Sequence, residues 1–558
     1  MISVHPRRWG LRAADNYLPA SLYVLSGLAA VTYVFRHLFV GLTLGNPGDS
    51  RITMTILEHW RTVILGRAAD WRSPIFFFPK AGVLGNTDAY ALFALPYTLA
   101  RTIFDEFVSY DLAMAALFIV GFASMALLLR NGLRLSHPVS ILGSILFTVF
   151  SSIYQRTIHA QIIAVETIPL LIWLAIAFAR STSRREGSII AIGGAVVFAA
   201  TCMTGFYISW FFGLLIAWAA IVATCMFGVP TAFKTVLGFA KAKRTELVIL
   251  GLSLLIGLYP FASLYVPRLI ESGPQPLSEA FGPGRSQHAW DLIAVGTNNY
   301  FWSDLLGNGG LGGRLLWNPS ITPLFGIAML SSIVAAFVCF RLRDLTSDER
   351  TRVLFVRVFG IAALLLLMSF VDWGAVQPYV FYYRFVPGGS AMRVPSRLVL
   401  LLPVVWVPIV AIGAFWIIQR AARFRWMALA ALAILIVEQH SAPLAANTDI
   451  DLERERLAKF FPVPARYCAS FYVTGFIPRS EESSLIEFFY GPQVDAMILA
   501  YRLRIPTLNG NSTVYPPGWK IASPIEANYL NTVNDWISRN SLSKVCRLDL
   551  SRVEWSQH

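Results

Sequence analysis

Charge is scarce in this sequence. Asp, Glu, Lys and Arg together make up 14% of 558 residues, well below the ~25% usual for soluble domains. Apolar residues make up 56%. So little charge cannot clothe a water-soluble fold of this size. Several motifs are missing as well: no Walker loop, CxxC, HExxH or GxSxG occurs, and no internal repeat. Lack of a phosphate-cradling loop argues against an ATP-driven pump. The N-terminus, MISVHPRRWGLRAADNY, has no apolar core leading to a small-residue cleavage site, so the first span is expected to stay as an anchor. Cysteine is sparse, at five. Cys202, Cys225 and Cys339 fall in apolar runs and read as core thiols, whereas Cys468 and Cys546 are the only two in the C-terminal tail. In an oxidising space those two are candidates for a disulfide.

What the sequence has in quantity is long apolar runs. LYVLSGLAAVTYVFRHLFVGL and LVLLLPVVWVPIVAIGAFWIIQ can each cross ~30 Å of hydrocarbon as a helix, and similar runs recur. The net charge of +14 does not point to nucleic acid, because the basic residues gather in short loops: Arg130 and Arg134; Arg180, Arg184 and Arg185; Lys234, Lys241, Lys243 and Arg244; Arg341, Arg343, Arg350 and Arg352; Arg420, Arg423 and Arg425. That is the positive-inside pattern. With Arg7, Arg8 and Arg12 it places the N-terminus in the cytoplasm. Spans are expected near 20–42, 108–130, 138–153, 161–180, 188–204, 206–228, 246–266, 319–340, 353–371, 398–418 and 426–445, about eleven in all, with the C-terminus outside. DAYALFALPYTLARTIF (88–104) is apolar but short and contains Pro96. A crossing there would invert every later loop, so it is expected to lie as a juxtamembrane or re-entrant helix on the outer side, over a cavity.

These readings divide the chain into a transmembrane module, 1–445, and a soluble α/β domain, 446–558, on the outer face. The outer side carries a long first loop, 43–107, and further loops at 267–318 and 372–397. The outer loops hold the unusual polar residues. Asp49 follows Asn-Pro-Gly where the first span ends; Arg51 lies just beyond it, and Asp88 guards the other end of the first loop. Arg156 and His159 open another span, with Glu166 further in, and Arg384, Arg393 and Arg397 break the positive-inside rule. Guanidinium groups at a membrane mouth suit a phosphate. Blander readings stand beside these. Asp49 and Asp88 could be helix N-caps, the arginines could anchor to lipid headgroups, His159 could be a structural hydrogen-bonder, and the loop Trp and Tyr could form an interfacial belt.

NPGDSRITMTILEHWRTVILGRAADWRSPIFFFPKAGVLGNTDAYALFALPYTLAR, YQRTIHAQ, GGSAMRVPSRL and TLNGNSTVYPPGW resemble the GT-C superfamily of integral-membrane glycosyltransferases, in particular GT-C-like or YfhO-like bacterial multispan proteins. The resemblance runs over nearly the whole chain. It departs from the family in two places: the first loop has a single Gly-Asp in place of an Asp-Glu pair, and there is no WWD-type motif. The resemblance implies a polytopic α-helical fold in a bacterial inner membrane with a periplasmic C-terminal domain. It implies transfer of a hexose or pentose from a polyprenyl-phosphate donor to a glycan, lipid or protein acceptor. Asp49, with a pKa raised by partial desolvation, would be the general base, and Asp88 a second acid. Arg393 and Arg397, then Arg384, Arg51 and Arg156, would bind the phosphate, and His159 sugar or phosphate. Metal use varies in the group, so a divalent cation is compatible with it. A transporter or lipid flippase, or a non-catalytic envelope assembly protein of the same fold, is the alternative.

Overall fold

The computed structural model describes residues 17–45, 48–154, 157, 159–282, 285–288, 291–292, 295, 298–306, 321–441, 448–460, 467–476, 485–521, 523–524 and 526–558. It is mainly helical. Among the described residues, eight helices are long and apolar enough to cross a membrane: Glu106–Gly132, His137–Tyr154, Ala160–Arg180, Arg184–Thr204, Phe206–Phe227, Arg244–Glu271, Ser347–Met368 and Pro395–Arg420. This is the build of an integral membrane protein.

The remaining three expected spans form shorter helices, Tyr17–Val34, Pro323–Val338 and Arg425–Glu438, so the length criterion gives eight rather than about eleven. Each has a local reason to stop. The first gives way to a 3-10 turn at Arg36–Val40, closed by Gly41 in the left-handed region (φ 74°). The other two meet at one charged side chain. Glu438, buried at the end of Arg425–Glu438, accepts bonds from the Leu324 and Phe325 amides (2.8 and 3.0 Å), Thr322 Oγ1 (2.7 Å) and Trp302 Nε1 (3.0 Å). At the opposite end of Pro323–Val338, Arg357 donates to the carbonyls of Ala336 and Phe340 (both 2.6 Å from Nη2). A carboxylate at the N-terminus and a guanidinium at the C-terminus oppose the helix dipole and satisfy its end groups.

The segment 88–104 forms a helix over Ala91–Ala100 with Pro96 inside. Ten residues rise roughly 15 Å, half a bilayer. The helix packs between Asp49–Ile64 and the span Glu106–Gly132, with Leu95 and Leu99 exposed.

The basic loops collect at one end of the bundle, where Arg134 pairs with Asp348 (2.9 Å), Arg180 donates to the Gly132 carbonyl (2.8 Å) and Arg352 to that of Leu133 (3.2 Å). At the other end the remaining loops and the tail converge. Gln287–His288 pairs in parallel with Val371–Asp372, joining two of the long loops, and Leu42–Thr43 pairs antiparallel with Thr448–Asp449. In the tail, Ser470–Thr474 runs parallel to Val545–Asp549, which pairs antiparallel with Glu554–Gln557. Helices Ile450–Ala458, Leu485–Leu503 and Tyr529–Arg539 complete the described part, and Cys468 is disulfide-bonded to Cys546.

The tail is bound to the first loop by backbone pairing. Phe77 and Phe78 donate to the Asn509 and Thr507 carbonyls, and Thr507 donates to Ile75. The Asn-Gly pair at 509–510 is therefore not an exposed turn. Asn509 is a buried hub, donating from Nδ2 to Gln493 Oε1 (2.9 Å) and the Tyr529 hydroxyl (3.0 Å) and accepting from the Val473 amide (2.9 Å).

Candidate active site

The helix Asp49–Ile64 begins abruptly, and glycine permits it. Gly45 has φ 91°, and a Cβ there would fall 1.4 Å from Ser50 Oγ, so the turn tolerates no side chain. Asp49 is the first helical residue; the N-cap is Gly48, without a side-chain cap bond. Asp49 Oδ2 instead lies 3.3 Å from His159 Nδ1, with the Asp49 side chain 52% exposed and the His159 side chain 15% exposed. The carboxylate is thus open to solvent but deep among protein atoms.

Its electrostatics differ from the raised pKa expected above. Desolvation pushes the pKa of Asp49 up, but the hydrogen bond and charge of His159, then Arg397 and Arg393, outweigh it and hold the group below the usual carboxylate range. Asp88 behaves in the opposite way. Burial raises it to about 6, against the opposing pull of Arg397, and no hydrogen bond reaches it among the described residues. It does not cap the helix Ala91–Ala100, whose N-cap is Tyr90 at φ 53°. The charge of Arg397 therefore acts on both carboxylates.

The two arginines are held by Tyr207, at the start of the span Phe206–Phe227, which the sequence did not single out. The Tyr207 hydroxyl accepts the Arg393 amide (2.8 Å), and the Arg397 guanidinium lies over the Tyr207 ring, 5.2 Å from its centre. Neighbours on the same helix fix the loop leading to them. Trp210 donates to the Pro387 carbonyl (2.8 Å), and a Cβ on Gly388 (φ 86°) would meet Phe206 at 2.7 Å. Tyr90 was missed too. It is buried, and burial, followed by the charge of Asp88, raises its pKa well above the ordinary phenol value. It reaches towards Gln161 Oε1 at 3.5 Å.

Asp49, Asp88, His159, Arg393 and Arg397 thus come together from four separate chain segments. The remaining candidates lie elsewhere. Arg51 is fully buried on the opposite face of its helix, its guanidinium 4.7 Å from the centre of the Phe107 ring and its Nε 3.8 Å from Glu453 of the tail. Two positions along a helix turn a side chain by about 200°, which explains the separation. Arg384 is exposed on Tyr379–Phe385, with no ion pair among the described residues. Arg156 lies outside the described residues. Glu166 is buried in the span Ala160–Arg180 against Gly121, with no hydrogen-bond partner among the described residues. Among those residues no group of three or more His, Cys, Asp and Glu is placed to hold a metal.

No family model matches the chain, and no curated protein matches it. Among solved structures it is similar to the oligosaccharyltransferase of Archaeoglobus fulgidus in the apo form, at 12% identity and a TM-score of 0.46, over 89% of this chain and 65% of that one. The chain therefore spans just under two thirds of the archaeal protein. It is also similar to ArnT from Cupriavidus metallidurans. The apo state gives 12% identity and a TM-score of 0.38, over 88% of this chain and 84% of that one. The form bound to undecaprenyl phosphate gives 12% and 0.37, over 89% and 86%.

Proposed function

We propose that the chain is a membrane glycosyltransferase that moves a sugar from a polyprenyl-phosphate donor to a hydroxyl of an envelope glycan, lipid or protein, on the side of the membrane where the tail lies. The observation that carries this reading is the pairing of the open Asp49 carboxylate with His159, facing Arg393 and Arg397. Guanidinium groups are suited to the donor phosphate and, as the glycosidic bond breaks, to the charge growing on it. Asp49 takes the proton from the acceptor hydroxyl as that oxygen attacks the anomeric carbon, and the lipid phosphate leaves with the bonding pair.

The lowered pKa of Asp49 fits this cycle. A bound phosphate neutralises Arg393 and Arg397, withdrawing part of what stabilises the carboxylate, so Asp49 becomes more basic when donor is present. His159 holds the carboxylate in place. Asp88 is the second acid of the recess, facing the same arginine.

The test is transfer of label from radiolabelled polyprenyl-phosphate sugars to membrane extract by the full chain in nanodiscs. Wild type is expected to transfer, and Arg393→Ala with Arg397→Ala to lose at least a hundredfold in kcat/KM, about 3 kcal/mol. Absence of transfer by wild type across a broad donor panel would overturn the reading.

A further inference from the structure

The opposite face of the helix Asp49–Ile64 borders a second cavity, of about 300 Å³, bounded by the loop helix and the tail. Glu58, on its wall, is nine positions beyond Asp49, roughly 13 Å along the helix and about half a turn around. The cavity is therefore distinct from the recess that holds Asp49.

Its walls bring four arginines, Arg61, Arg101, Arg502 and Arg504, against two glutamates, Glu58 and Glu106. The carboxylates are already engaged. Arg101 pairs with Glu58 at 2.6 Å and Glu106 at 3.6 Å, Arg61 with Glu58 at 3.2 Å, and Arg502 with Glu106. Arg504 is exposed and makes no ion pair among the described residues. It sits immediately after the helix Leu485–Leu503, at φ 58°. That left-handed position usually falls to glycine, yet here it carries a guanidinium onto the cavity wall. Among the described residues, four guanidinium groups thus meet only two carboxylates on the cavity wall.

The surroundings show what meets them. Glu106, on the cavity wall, opens a membrane span, and the nearby Leu99 and Ile103 are 61% and 79% exposed. The cavity thus lies where hydrocarbon gives way to headgroups. We infer that this cavity is a binding site for a phosphate group, carried by an anionic membrane lipid whose chains lie beside the span that Glu106 opens. Arg504 takes the phosphate oxygens together with Arg61, whose pair with Glu58 is the longer of that carboxylate's two, while Arg101 and Arg502 line the floor. Guanidinium forks match phosphate oxygens in pairs, and basic pockets at membrane level bind lipid headgroups. The inference stands apart from the proposed transferase activity.

The test uses the full chain carrying Arg393→Ala and Arg397→Ala, so that the Asp49 recess cannot supply the signal. Dioctanoyl-phosphatidylglycerol, dioctanoyl-phosphatidylcholine and inorganic phosphate are titrated separately in detergent, with and without added Arg61→Gln and Arg504→Gln. Phosphatidylglycerol is expected to bind at least tenfold tighter than phosphatidylcholine and to lose at least tenfold in the double Gln variant. Inorganic phosphate matching phosphatidylglycerol, and lost in the same variant, would support the phosphate site with a soluble source. Equal binding of the two lipids, or no change in a Gln variant whose melting temperature is unaltered, would overturn it. Arg504→Glu alone, at an exposed position, repeats the test should the double variant misfold.

Discussion

Asp88 and Asp49 share Arg397 but titrate in opposite directions, and that contrast yields a prediction at the residue scale. Burial raises Asp88 from 3.8 to about 6. A carboxyl whose folded pKa exceeds its unfolded value contributes stability below the unfolded pKa. That stability is lost as pH rises through the folded one, here between about 4 and 6. At neutral pH the ionised side chain therefore opposes folding. Asp88→Asn is expected to stabilise the protein at pH 7.5 by about 1–2 kcal/mol after allowance for solvent screening, with the gain shrinking towards pH 4. Thermal melts in detergent at several pH values measure this. Transfer activity is expected to fall at least tenfold in the same variant, as when stability is given up for a site.

The same residues mark how far the site was legible. Asp49, Asp88, His159, Arg393 and Arg397 stand out in sequence because ionisable groups at the mouths of apolar runs are costly there. Arg51 stood out for the same reason, yet its helical phase turns it to the tail. The pKa of Asp49 was not legible, because it depends on His159 and then on arginines more than three hundred positions away in the chain. Tyr207 gave no signal, since an aromatic residue at a span end is ordinary.

At the scale of elements, the long apolar runs read well and the short ones poorly. Periodicity marks a helix, but its end is set by partners, and Glu438 shows how. A carboxylate near the end of an apolar run looks like the point where a span leaves the bilayer. In the fold it is a buried cap on the start of another helix, Pro323–Val338. Truncating it leaves two helix amides, a hydroxyl and an indole without their acceptor. Glu438→Ala is expected to cost about 3 kcal/mol and Glu438→Gln less, since one amide oxygen retains part of the bonding. Melting temperatures of the two variants in one detergent decide the order; equal loss would mean that the charge, not the cap, matters.

For the whole molecule, tail and bundle are not independent bodies. The first loop pairs its backbone with the tail, Arg502 pairs with Glu106 at the head of a span, and Arg51 reaches Glu453. Composition placed a boundary near 446, where apolar runs stop, but it could not reveal that residues 75–78 contribute an edge to the tail. The Cys468–Cys546 bond, across a sequence separation of 78, adds a staple within the tail. Loop-closure entropy makes it worth about 4 kcal/mol in the chain-entropy model. Cys468→Ser with Cys546→Ser is expected to leave the spans intact but to render the tail the first site of limited proteolysis. Unchanged proteolysis would show that docking on the first loop alone holds it.

The central claim is that Asp49 acts on the acceptor rather than on the donor, and one comparison tests it. Wild type and Asp49→Asn, in nanodiscs, are measured for polyprenyl-phosphate binding and for transfer of labelled sugar at donor saturation. The account predicts donor affinity within about threefold of wild type and a fall in kcat of at least about a hundredfold in a folded Asp49→Asn protein. Transfer that survives the substitution would contradict it.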